Sequence, residues 1–160
     1  HASRPERVSA YVLDVCGHGV SAALVAVTVS QFLHSLHNRM LLTGRLFDPA
    51  AVVTRLDQAF PLARFDCFFT IVYLTLDLRT RVLSYSNAGH VPPLLLRADG
   101  RLEALSEHGP VIGAGMGSAP GEAQRQLGPG DRVFLYTDGL VDHFGPEGER
   151  LGKDLRRRRG

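Results

Sequence analysis

Two acidic residues stand where apolar runs end. Asp14 closes the run at residues 8–13 and opens the block DVCGHG at residues 14–19, and Asp138 follows VFLYT at residues 133–137 and precedes Gly139. Carboxylates at strand ends can be held convergent by a rigid sheet, and oxygen-only ligation suits a hard cation such as magnesium or manganese. Each aspartate could equally close a turn by accepting backbone N–H bonds. His18 lies between Gly17 and Gly19, which lets a phosphate or an ion come close to the backbone, and its imidazole can donate or accept a proton. A turn histidine without chemistry satisfies the same pattern.

The remaining reactive side chains point to less. Asn87, Ala88, Gly89 and His90 end another strand, and a turn leading into Pro92 and Pro93 explains them more simply than catalysis does. His34 and His37 are one helical turn apart with no second ligand pair, so they read as a solvated helix edge. Cys16 and Cys67 are poor candidates for a cysteine phosphatase, because the phosphate-clamping arginine expected six residues on is Ala22 in one case and Tyr73 in the other. There is no G-x-S-x-G elbow. The glycines at 113, 115 and 117 have no following lysine and no strand–turn–helix frame, so residues 109–121 read as a flexible connection.

The elements that must position these residues follow from periodicity. Residues 8–13 form a short buried strand, and residues 21–36 place Ala22, Val25, Ala26, Val29, Phe32, Leu33 and Leu36 on one helical stripe. Asp48 and Pro49 announce a second helix with Val52, Val53, Leu56 and Phe60 inward, stopped by Pro61. Three pairs of strand-like runs follow, separated by turns at 77–80, 98–100 and 128–130, and tight turns predict antiparallel hairpins. The expected class is α+β, an antiparallel β-sandwich flanked by helices.

With 160 residues and 44% apolar composition, the chain has the size of one domain with a real core. The formal charge is +2, but the four arginines at 156–159 outweigh it and leave the remainder at −2, so the body has no nucleic-acid-binding composition. The arginine run reads as an exposed helix face or tail. Two cysteines without a C-x-x-C pair exclude a disulfide framework and suggest a reducing, cytoplasmic setting. No apolar run reaches the length of a membrane span, so no membrane contact is expected of this segment. The abrupt start at His1 reads as an excerpt of a longer protein.

Taken together, DVCGHGVSAAL at 14–24, SNAGHVPPLLL at 86–96, GPVIG at 109–113 and YTDGLVD at 136–142 resemble the PPM, or protein phosphatase 2C, superfamily, in its bacterial branch of stage II sporulation phosphatase E and RsbU-like regulators. The resemblance covers most of residues 1–160 and implies a single phosphatase domain, incomplete at both ends. It implies two antiparallel sheets flanked by helices, with two Mn²⁺ or Mg²⁺ ions between them and a metal-activated water attacking phosphoserine or phosphothreonine. Asp14, the Val15 carbonyl and Asp138 would be metal ligands, Asp142 would serve an additional weak metal, and His18 is a candidate proton donor. The family's first and last metal aspartates have no counterpart in these residues.

The implied substrate is a phosphorylated regulatory protein, an anti-sigma-factor antagonist, and an upstream sensor or receiver domain is expected in the parent chain. The competing expectation is a catalytically degenerate module that binds a phosphoprotein or relays a signal.

Overall fold

A computed structural model describes residues 7–43, 48–115 and 121–141. Its first strand, β1 (Arg7–Val15), pairs antiparallel with β2 (Phe69–Asp77) over nine residues, from Arg7 opposite Asp77 to Val15 opposite Phe69. β3 (Val82–Ala88) pairs with the other edge of β2, and β6 (Ala123–Gln126) pairs with β3. This four-stranded sheet has the order β1-β2-β3-β6. A second, three-stranded sheet places β4 (Leu94–Leu96) between β5 (Leu102–Ala104) and β7 (Arg132–Phe134), all antiparallel.

The period of two along each strand separates two cores. One face of the first sheet presents Leu13, Val15, Phe69, Ile71, Tyr73 and Ala88 to α1 (Val20–Thr43) and α2 (Pro49–Ala59), whose Val29, Leu33, Val52, Val53 and Leu56 complete that core. The opposite face presents Ala10, Leu74, Leu76, Leu83 and Tyr85 to the second sheet, against Leu95, Leu105 and Val133. β2 is covered on both faces, so Ile71 to Thr75 are all buried and Ile71 to Leu74 are apolar or aromatic in succession. The expected helix-flanked antiparallel sandwich is what forms.

Local chemistry explains most boundaries. The β2–β3 turn is closed by Asp77, whose Oδ1 accepts the backbone N–H groups of Arg79 (3.1 Å) and Thr80 (2.9 Å). Pro49 occupies the first turn of α2 as expected, but the Asp48 side chain makes no capping bond. Glu122 Oε2, from the segment before β6, instead accepts the Ala50 N–H at 3.2 Å. After α2, the chain turns through a one-turn helix, α3 (Leu62–Phe65), which periodicity did not announce.

Three expectations are corrected. The runs on either side of Gly128, Pro129 and Gly130 do not form a hairpin: β6 joins the first sheet and β7 the second, so this turn crosses between layers. The crossing is held by Asp131, which accepts from the backbone of Ala98 and Gly128 and from Arg97, while Arg97 also donates to the Gln126 carbonyl and to Glu103. Residues 109–113 are not a loose connection either. Ile112 is buried and bridges Phe69, Gly109 N–H donates to the Asn87 carbonyl at 2.6 Å, and Gly113 N–H donates to Asp57 Oδ1 at 2.9 Å. Finally, α1 extends past residue 36, and its Val20–Arg39 part is long and apolar enough, by mean hydropathy, to cross a membrane. Polar side chains break it into short apolar runs, and its Val29 and Leu33 are spent on the sheet.

Candidate active site

Asp14 lies opposite Thr70 in the β1–β2 register, and directly opposed residues of an antiparallel pair project to the same face. Counting by twos from Ala10 through Val12 puts Asp14 on the face toward the second sheet. Asn87, opposite Val72, projects to that face as well. Asp138 begins a short helix, α4 (Asp138–Val141), a few residues after β7 of the facing sheet. The two carboxylates therefore belong to opposed layers of the sandwich.

His90 joins the layers. Its Nδ1 lies 2.8 Å from Thr70 Oγ1 and its Nε2 lies 2.9 Å from the carbonyl oxygen of Tyr136, two residues before Asp138. That carbonyl can only accept, so Nε2 carries hydrogen. A neutral ring then leaves Nδ1 as the acceptor of the Thr70 hydroxyl. Thr70 Oγ1 is also 3.5 Å from the backbone carbonyl of Asp14. The ring is fixed from behind: Asn87, fully buried, accepts the His90 N–H at 2.8 Å and donates to the His90 carbonyl at 3.0 Å. Gly89 makes this clamp possible with φ at +69°, packed closely against Val111.

The turn expected at residues 87–90 is therefore present, and it has a second role that sequence did not disclose. Thr70 carried no signal, since a threonine in a β-branched strand is ordinary. His90 stood in a recognisable block, but its partners come from β2 and from beyond β7.

Asp14 and Asp138 are both exposed, and neither carboxylate has a protein hydrogen bond among the described residues. Free oxygen donors at a strand end suit a hard divalent cation. The described residues hold no group of three or more His, Cys, Asp or Glu side chains able to bind a metal. Val15 is the last residue of β1. His18 is exposed in a loop where Gly17 and Gly19 have φ of +99° and +85° and open space around them. Asp142 and the arginines at 156–159 lie outside the described residues. His34 is exposed and His37 half-buried on α1, with no metal-binding cluster around them.

The cysteines sit beside this loop. Cys16 is exposed, and its N–H donates to the Phe68 carbonyl at 3.0 Å, next to Cys67. Burial pushes the Cys67 thiol upward, and the charges of Cys16 and Asp66 add to that.

Solved structures share this architecture. The PP2C phosphatase domain of the cell-fate determinant SpoIIE from Bacillus subtilis superposes with a TM-score of 0.73 at 19% identity, covering 96% of this chain and 42% of that one. The catalytic domain of the serine/threonine phosphatase PstP, crystallised with two manganese ions, has a TM-score of 0.56 at 16% identity, over 99% of this chain and 84% of that one. The fold is thus that of PP2C phosphatases. The family model for stage II sporulation protein E (SpoIIE) matches residues 4–159, and the chain belongs to that family. The phosphoserine phosphatase RsbP of Bacillus subtilis (strain 168) is 32% identical over 143 residues, which is 85% of this chain and 34% of RsbP. The chain spans about a third of that relative.

Proposed function

We propose that this domain, in its full-length protein, is a metal-dependent serine/threonine phosphatase acting on a phosphorylated regulatory protein. The observation that carries the reading is the Thr70–His90–Tyr136 connection, which draws the strand end bearing Asp14 and the segment leading to Asp138 to one end of the sandwich. Asp14, the Val15 carbonyl and Asp138 would hold divalent cations there, with further carboxylates from outside the described residues. When bound, Mn²⁺ or Mg²⁺ would supply Lewis-acid charge against the phosphoryl oxygens and lower the pKa of a water.

The chain's own residues would account for the rest. The open loop at residues 17–19 leaves room for a phosphoryl group, and His18 would protonate the leaving serine or threonine oxygen. Neither cysteine has a phosphate-clamping arginine six residues on, so the nucleophile is water rather than thiolate. Family resemblance supports an anti-sigma-factor antagonist as substrate and an upstream sensor or receiver domain in the parent chain; the cysteine usage suggests a cytoplasmic setting, and the body's charge a protein rather than a nucleic-acid partner.

The test is turnover of phosphoserine protein by the full-length protein with Mn²⁺. Asp14→Asn and Asp138→Asn are expected to reduce it to background, and His18→Gln to lower kcat by about 10²-fold or more, in the range of general-acid contributions. No turnover by the wild type, under conditions where RsbP is active on its own substrate, would end this reading. The competing reading is a module that binds a phosphoprotein without hydrolysis. Calorimetric binding of the phosphorylated but not the unphosphorylated partner, without phosphate release, would select it.

A further inference from the structure

We infer that His90 is a positioning residue: its imidazole is a strut that fixes the spacing between the Asp14 strand end and the Asp138 segment across the sandwich. The idea rests on the reading that these two carboxylates act together. Its basis is geometric. β1 and β2 belong to one sheet and Asp138 follows a strand of the other; among the described residues no ladder hydrogen bond joins the two sheets, and the side-chain ties of Arg97 to the Gln126 carbonyl and of Arg125 to Glu103 run from β6 rather than from β1 or β2. The apolar contacts between layers are non-directional and set thickness rather than register. A hydrogen-bonded ring with one nitrogen on each layer fixes both distance and direction.

Three features suit His90 to this. The ring is nearly buried, at 7% exposure, so water competes weakly for its partners. Both nitrogens are used, Nδ1 on Thr70 at 2.8 Å and Nε2 on the Tyr136 carbonyl at 2.9 Å. The backbone on which it stands cannot swing, because Asn87 holds both its N–H and its carbonyl and Gly109 holds the Asn87 carbonyl in turn. Beyond Tyr136 the chain turns into α4, where Leu140 N–H donates to the Thr137 carbonyl at 3.1 Å. The Nε2 bond ties the first sheet's layer to the segment that leads to Asp138.

The two nitrogens can be separated experimentally. Gln at position 90 places an amide N–H where Nε2 is and can reach Tyr136, whereas Asn places an oxygen near Nδ1 and reaches only Thr70. Phe fills the volume and makes neither bond. Amide hydrogen exchange is measured in the full-length protein at Leu140 and its neighbours, together with Mn²⁺ affinity by electron paramagnetic resonance. Expected are faster exchange at this segment in His90→Phe and His90→Asn, by a larger factor than any loss of protection at the β2 core amides, and recovery in His90→Gln. Mn²⁺ affinity is expected to fall about tenfold in the first two and recover in the third, as for other groups that orient ligands.

A merely space-filling histidine predicts that Phe is tolerated and that Gln and Asn behave alike, and that result overturns the inference. Should His90→Phe unfold the domain, the Gln and Asn pair still decides. If the wild type neither binds Mn²⁺ nor turns over substrate, the phosphatase reading fails, and the exchange data alone uphold or overturn the strut.

Discussion

Gly89→Ala tests the packing that aims His90. Gly89 has φ of +69°, and a Cβ built there overlaps Val111 Cγ1 and lies 3.3 Å from both Cα and Cβ of Val111. Two costs add. Holding an L-residue in the left-handed region costs about 1–2 kcal/mol, and forcing a methyl into filled space costs about 1–3 kcal/mol. The sum, about 2–5 kcal/mol, is a large part of the roughly 5–15 kcal/mol that stabilises a typical domain. Native-state hydrogen exchange at Val72 and Leu74, central and buried in β2, reads the unfolding free energy of this domain within the full-length protein.

The protection of those amides is expected to drop by about thirtyfold or more, since each 1.4 kcal/mol is a factor of ten. Val111→Ala removes the overlapping γ-methyl but leaves the two 3.3 Å contacts and the φ cost, so the double variant should recover part of the loss. The coupling between the two positions is expected at about 1–3 kcal/mol. Unchanged protection in Gly89→Ala, or strict additivity with Val111→Ala, refutes the packing account.

Two further outcomes follow from charge and exposure. The Asp77 carboxyl is pulled down to about 2, chiefly by the Thr80 N–H and further by the Thr80 hydroxyl, Arg7 and the Arg79 N–H. Because this folded value is below the ordinary carboxylate value of about 3.9, its stabilising contribution is complete above that value and is lost as pH falls through about 2. Asp77→Asn is therefore expected to be less stable at neutral pH and to lose less on acidification from pH 4 to 2, checked by circular dichroism; an unchanged acid profile contradicts it. At the other end of the sheet, exposed Cys16 is expected to alkylate faster than Cys67, whose thiol is raised by burial and by its neighbours. Peptide mass mapping after brief maleimide treatment at pH 8 reads the order, and equal rates would count against it.

Much of the scaffold was legible because its causes are local. Apolar, aromatic and β-branched runs at residues 8–13 and 67–76, proline in the first turn of α2, and the Asp77 turn specify strand, helix and reversal within a few residues of themselves. The stripe of Val29, Leu33 and Leu36 told which face of α1 would be buried. Asp14 and Asp138 were visible as candidates for the same reason, each being an acidic residue where an apolar run stops.

What the tertiary structure alone decided is how these pieces pair across distance. A Gly-Pro-Gly turn dictates that the chain reverses, not which strand edge is free to receive it, and open edges on β3 and β4 separated β6 from β7 into different sheets. The same limit hid the role of the Asn87–His90 turn. Its residues set the local bend, but the Thr70 hydroxyl and Tyr136 carbonyl that give the ring its purpose arrive from 20 and 46 positions away. Hydrogen bonds are short-range and directional, so their partners exist only once long-range packing has brought the layers together.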